Sequence, residues 1–126
     1  LSARYLWLSE YIEVKHDPYA SVIERYVRDH ADEEISIQKI CLETGISKNR
    51  LYKTSHESFG MSIGDYISSV KIKEAKHLLT STNLPIGSIC ERVGIKDYNY
   101  FSKFFKAHTG ITPTGYRKKY PFEFYK

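Results

Sequence analysis

A chain of 126 residues, 41% hydrophobic and 27% charged, is sized for one domain, or one domain with an appendage, around a real core. No apolar run approaches the roughly 20 residues of a membrane-spanning helix and no signal peptide is visible, so this fragment is expected to make no membrane contact. The net charge of +4 conceals an asymmetry: residues 1–34 carry four Lys/Arg against eight Asp/Glu, and residues 35–126 carry fifteen against seven, a balance that favours a polyanionic partner for the second stretch.

In chain order, Leu1, Tyr5, Leu8 and Ile12 recur at intervals of four, three and four, beside a second stripe of Trp7, Tyr11 and Val14. This predicts an amphipathic helix. Residues 1–17 are read as a linker to an upstream sensor or dimerisation module, either solvated or packed against it, and the start at Leu1 reads as a piece of something longer. Asp17-Pro18 fits a helix start, with Asp as N-cap and Pro in the first turn; Val22, Ile23, Tyr26 and Val27 give that helix an apolar face. Ser36 or its predecessors cap a third helix with Ile37, Ile40 and Cys41 inward, and Gly45 ends it. Ser47 caps a helix over about Lys48–Ser58, and Gly60 breaks it. A long helix near Ile63–Leu79 turns at Thr80–Asn83, Pro85 opens the next helix, Gly94 ends it, Asp97 caps one over about Tyr98–His108, and a short final helix lies near Tyr116–Lys119. No alternation suits a strand. The fold class is therefore all-α: two helix-turn-helix subdomains joined by a long connecting helix, behind an extra N-terminal linker helix. The domain spans 18–126, with units at 18–60 and 81–126 and the connector at 61–80.

A repeat organises these elements. Ile37, Ile40, Cys41, Gly45 and Ile46 return as Ile86, Ile89, Cys90, Gly94 and Ile95 at a constant offset of 49, and after one inserted residue Leu51, Lys53, Gly60 and Tyr66 return as Phe101, Lys103, Gly110 and Tyr116. An apolar helix, a glycine turn and a basic helix, given twice, predict two helix-turn-helix units. Cys41 and Cys90 hold equivalent inward positions and read as inert packing residues; no disulfide is expected. The five histidines are scattered, no His/Cys pair has zinc-ligand spacing, and neither metal nor cofactor is expected. No nucleophile–base pair, phosphate-cradling glycine loop or paired carboxylates point to an enzyme.

With Leu51 inward, the opposite face of the first basic helix shows Asn49, Tyr52, Lys53 and His56. With Phe101, Phe104 and Phe105 inward, the second shows Asn99, Ser102, Lys103 and Lys106. Either face alone reads more readily as a solvated surface. Two equivalent faces combining amides, hydroxyls and cations suit major-groove base edges, with flanking cations on phosphates. Lys48, Arg50, Lys96, Tyr98 and Lys106 are the expected phosphate or flanking contacts. Lys71, on the connecting helix, reads either as a further phosphate contact or as a solvated lysine.

Ile86-x-x-Ile89-Cys90-x-x-x-Gly94-Ile95, Asn99-Tyr100-Phe101-x-x-x-Phe105-Lys106 and Gly110-Ile111-Thr112-Pro113-x-x-Tyr116-Arg117, together with Tyr66-x-x-x-x-Lys71-Ile72-x-x-Ala75-x-x-Leu78-Leu79, carry a likeness. From about Ile35 to Lys119 the chain resembles the DNA-binding domain of the AraC/XylS family of bacterial transcriptional regulators. The resemblance implies seven helices, two recognition helices set in major-groove segments on one face of double-stranded DNA, and base-facing positions at Asn49, Tyr52, Lys53, Asn99, Ser102 and Lys103. It also implies a cytoplasmic, nucleoid-associated regulator, by family habit an activator, with RNA polymerase as a possible partner. Thr54-Ser55 depart from the family's apolar-Phe pair, and Phe59 and Tyr52 are candidate compensators. That departure, with the aromatic tail Tyr120–Tyr125, keeps open a second reading: a degenerate helix-turn-helix scaffold serving as a protein-interaction module.

Overall fold

Six of the seven α-helices of the described residues begin where a side chain satisfies the first free N–H groups, and the seventh, Ile86–Arg92, follows Pro85 without such a cap. Asp17 accepts from the Tyr19 N–H at 2.9 Å, Ser36 from Lys39 at 3.1 Å, Ser47 from Arg50 at 3.1 Å, and Asp97 from Asn99 and Tyr100 at 2.9 and 3.2 Å. Ser62 and Thr112 do the same for two helices whose caps sequence reading left unassigned. The computed structural model describes residues 17–121. Seven helices result: α1 Pro18–Asp29, α2 Ile37–Thr44, α3 Lys48–Thr54, α4 Ile63–Ser81, α5 Ile86–Arg92, α6 Tyr98–Thr109 and α7 Pro113–Lys119. No strand occurs among the described residues. The helix expected before Asp17 and the tail residues from Phe122 onward lie outside them. Gly45, at φ 76°, ends α2 in the left-handed region as its position implied.

Two cores form, one per unit. Ile23, Tyr26, Val27, Ile40, Ile46, Leu51 and Ile63 make the first; Ile72, Ala75, Leu78, Leu79, Ile89, Cys90, Val93, Phe101 and Phe105 make the second. The duplication thus reaches beyond the helix-turn-helix segments. Ala75, Leu78 and Leu79 of α4 serve the second core as Ile23, Tyr26 and Val27 of α1 serve the first, and α7 covers α6 much as the start of α4 covers α3. α4 is a member of both units, its first half closing one and its second half founding the other. It runs through Ser81, two residues past the expected end, because Thr80 and Thr82 hydroxyls return to the Lys76 and Leu78 carbonyls and finish it.

The helix expected over Lys48–Ser58 changes character at Thr54. α3 stops there and a π-helical turn, Ser55–Phe59, follows before Gly60. In the second unit Phe105 meets Tyr116 edge-on, ring centres 5.5 Å apart. Its counterpart Ser55 has no ring to offer Tyr66, but the widened turn brings Phe59 onto Tyr66 at 4.1 Å, stacked at 10°. Phe59 is therefore the compensator; Tyr52, 43% exposed, is not. Thr54 is fully buried and donates its hydroxyl to Asp17 at 2.9 Å. The buried Ser55 hydroxyl has no hydrogen-bond partner. A desolvated, unbonded hydroxyl costs free energy, so Ser55→Ala is expected to raise stability by about 1 kcal/mol. Urea unfolding measures this, and a loss of stability would mean the hydroxyl is satisfied in solution.

Candidate nucleic-acid interface

The two basic helices are each anchored on one face and bare on the other. In α6, Phe101 and Phe105 are fully buried, and the opposite face presents Asn99, Lys103 and Lys106 exposed with Ser102 half-exposed. Phe104, expected inward, is only half-buried: it sits at the margin of the core between Tyr100, whose ring it parallels, and His108, whose ring is tilted against it. In α3, Leu51 is fully buried and Asn49, Tyr52 and Lys53 are exposed, as is His56 in the π-helical turn that follows. Among the described residues, the side chains of Asn49, Lys53, His56, Asn99, Ser102, Lys103 and Lys106 make no hydrogen bond or ion pair within the protein. Their donors and acceptors are open to a ligand.

The flanking positions divide. Lys48 is exposed with its ammonium 5.9 Å from the Tyr52 ring centre, and Lys96 and Tyr98 are exposed at the entry to α6. Arg50 is half-buried, its guanidinium 4.9 Å over the ring of Tyr19 on α1, so it fixes α3 to α1 through a cation–π contact while part of it faces outward. Lys71 differs from both expectations, a phosphate contact and a solvated surface lysine: it is buried, and its ammonium donates to the carbonyls of Ala31, Glu33 and Val93 at 2.9, 2.6 and 2.7 Å. Burial lowers its pKa, and the carboxylates of Asp32, Glu33 and Glu34 oppose that shift.

Other side chains set the helices in place. The Tyr26 hydroxyl of α1 donates to Glu43 of α2 at 3.0 Å, and His30 stacks on the Tyr26 ring at 4.0 Å. Burial first, then the hydrogen bond and charge of Glu43, push the Tyr26 pKa up to about 12. Arg117 was legible only as a motif letter. It donates from Nε, Nη1 and Nη2 to the carbonyls of Leu79, Leu84 and Thr82 at 3.1, 2.7 and 3.2 Å, binding α7 to the end of α4. Cys90 is buried as expected, donating weakly to the Ile95 carbonyl, and burial raises its pKa. Cys41 is half-buried, because the α2 face it occupies is only partly covered. Both are free thiols. Among the described residues no helix is long and apolar enough to cross a membrane.

Two apolar-helix, glycine-turn, basic-helix units on one shared helix define a tandem helix-turn-helix protein. The family described as a helix-turn-helix domain matches residues 40–119. An uncharacterised HTH-type transcriptional regulator, YisR of Bacillus subtilis, is 37% identical over 94 residues, which is 75% of this chain and 33% of that protein. The arabinose operon regulatory protein of Salmonella typhimurium is 32% identical over 109 residues, 83% of this chain and 39% of that one. The solved C-terminal domain of AraT, a response regulator from Geobacillus stearothermophilus, superposes with a TM-score of 0.81 at 27% identity, covering 87% of this chain and 92% of that one. The chain belongs to the AraC/XylS family of transcriptional regulators and carries its helix-turn-helix DNA-binding domain. It spans about a third to two-fifths of the length of the curated relatives described.

Proposed function

We propose that the domain reads one double-stranded DNA site with two helices, α3 and α6 entering separate major-groove segments. Asn49, Tyr52 and Lys53 face bases in one segment, and Asn99, Ser102 and Lys103 in the other. Lys48, Arg50, Lys96, Tyr98 and Lys106 hold the flanking phosphates. The reading rests on one observation: two matched faces of unengaged amides, hydroxyls and ammonium groups, each on a helix locked by a buried apolar face. Amides pair bidentately with adenine and lysines with guanine acceptors, whereas phosphate contacts add affinity without sequence preference. In the longer protein this binding regulates bacterial transcription in the cytoplasm, in the direction of activation, with an upstream sensor or dimerisation module in the same polypeptide and RNA polymerase as a partner. The protein-interaction alternative loses its chief motive, since Thr54 and Ser55 are buried parts of the first unit rather than an altered surface.

Selection of bound sequences from a random duplex library tests the proposal and returns the site, its length and its symmetry. Two conserved segments are expected. Against the selected site, Lys103→Ala should weaken binding by roughly 1–3 kcal/mol and relax preference at one base pair, while Lys106→Ala should weaken all sequences alike and shallow the salt slope by about 1. A footprint confined to a single groove segment, or unchanged binding by Lys103→Ala, would sink it.

A further inference from the structure

The seam between the two units closes on one side chain. Lys71 lies where α4 passes from the first core to the second. An ammonium has three N–H donors, and here each has a carbonyl. Ala31 and Glu33 belong to the loop between α1 and α2, in the first unit; Val93 is the C-cap of α5, in the second. One charge thus binds three backbone points that neither helix-turn-helix unit could hold together alone. Gly94 completes the seam. At φ 74° it lies on the first unit's loop, so that a Cβ there would stand 2.6 Å from the Glu33 carbonyl carbon and 2.8 Å from its nitrogen. The turn leading into α6 therefore rests directly on the loop leading into α2. Burying an ammonium is costly, and an apolar side chain would fill the same space without that cost. What the ammonium adds is direction: three charge-assisted bonds of short length are satisfied in one arrangement of the units.

We propose that Lys71 is the positioning residue for two-helix DNA reading: it fixes α3 relative to α6 and thereby the one spacing between half-sites that the domain accepts. This rests on the proposed function above. Because Lys71 acts through the protein and touches no DNA, its loss should change the tolerance of spacing and leave base preference within each half-site intact.

The test uses the full 126-residue chain and the strongest duplex recovered by selection, with one or two base pairs inserted or deleted between its two conserved segments. The unsubstituted protein should lose about tenfold or more in affinity per inserted or deleted base pair. Lys71→Met, shown folded by circular dichroism, should bind all spacings within about threefold of one another. Its salt slope should be unchanged, and Lys71→Arg should restore the single spacing. A folded Lys71→Met that keeps the original spacing preference overturns the proposal, and does so in favour of a phosphate contact if its salt slope falls by about 1. Should Lys71→Met fail to fold, Lys71→Gln, which removes the charge and keeps two N–H donors, takes its place. It is expected to broaden spacing tolerance, and a retained preference is equally fatal. If the unsubstituted protein selects only one conserved segment, two-helix reading itself fails, and the role of Lys71 falls with it.

Discussion

Phe105→Ala is expected to cost about 3–5 kcal/mol of folding stability. The ring is fully buried in the second core, with its centre 6.0 Å from that of Phe101 and 5.5 Å from that of Tyr116. Removing it loses the burial of an aromatic side chain, leaves a cavity, and breaks an edge-to-face pair. Domains of this size hold about 5–15 kcal/mol in all, so the change removes a large share of the total. Its functional consequence follows from geometry. Phe101 and Phe105 are the two fully buried side chains of α6, so that helix loses half its anchorage. Urea unfolding should show the loss directly, and affinity for the selected duplex should fall even where the variant remains folded. A cost below about 1.5 kcal/mol would mean that the site collapses around the gap, and that Phe101 alone seats the helix.

The legible part of the fold was written in local chemistry. Asp17, Ser36, Ser47 and Asp97 cap the helices they were expected to cap, because an N-cap bond reaches only two or three residues along the chain. Ile40, Leu51, Ile89, Phe101 and Phe105 are buried as their spacing required. The bare faces of α3 and α6 followed once the inward residues were known. What stayed illegible depends on partners far away in sequence. Lys71 looked like any surface lysine, since the carbonyls of Ala31 and Glu33 that hold it are 40 and 38 residues distant and carbonyls carry no residue signature. Thr54-Ser55 looked like a defect in the first unit because the repeat offset of 50 sets Ser55 at the place of Phe105. A π-helical turn moves that position four residues on, to Phe59, and the backbone register of such a turn leaves no mark in composition. The first unit is thus built differently from the second, and it keeps an aromatic pair, Phe59 on Tyr66, at the end of the turn that follows α3.

Asp17→Ala should expose how that different build is held, at an expected cost of about 2–4 kcal/mol, more than an ordinary helix cap. The carboxylate serves two elements. One oxygen accepts the Tyr19 N–H at the start of α1, and the other accepts the Thr54 hydroxyl at the end of α3. Loss of an N-cap alone costs about 0.5–2 kcal/mol. The second bond adds about 1.5–3 kcal/mol because its acceptor is charged. Thr54 is fully buried, so its hydroxyl cannot turn to water when the carboxylate is gone. Thr54→Val separates the two contributions, since it removes the hydroxyl and keeps the shape. In a double-mutant cycle the pair should be coupled by about 1.5–3 kcal/mol, so that Asp17→Ala costs no more than an ordinary cap once Thr54 is Val. Additive costs would show that the two elements are held independently. With coupling, Asp17 ties the end of α3 to the start of α1 by one charged hydrogen bond. α3 should then loosen in Asp17→Ala before α6 does, and hydrogen exchange at the amides of Leu51–Ser55 compared with Phe101–Phe105 would show the difference.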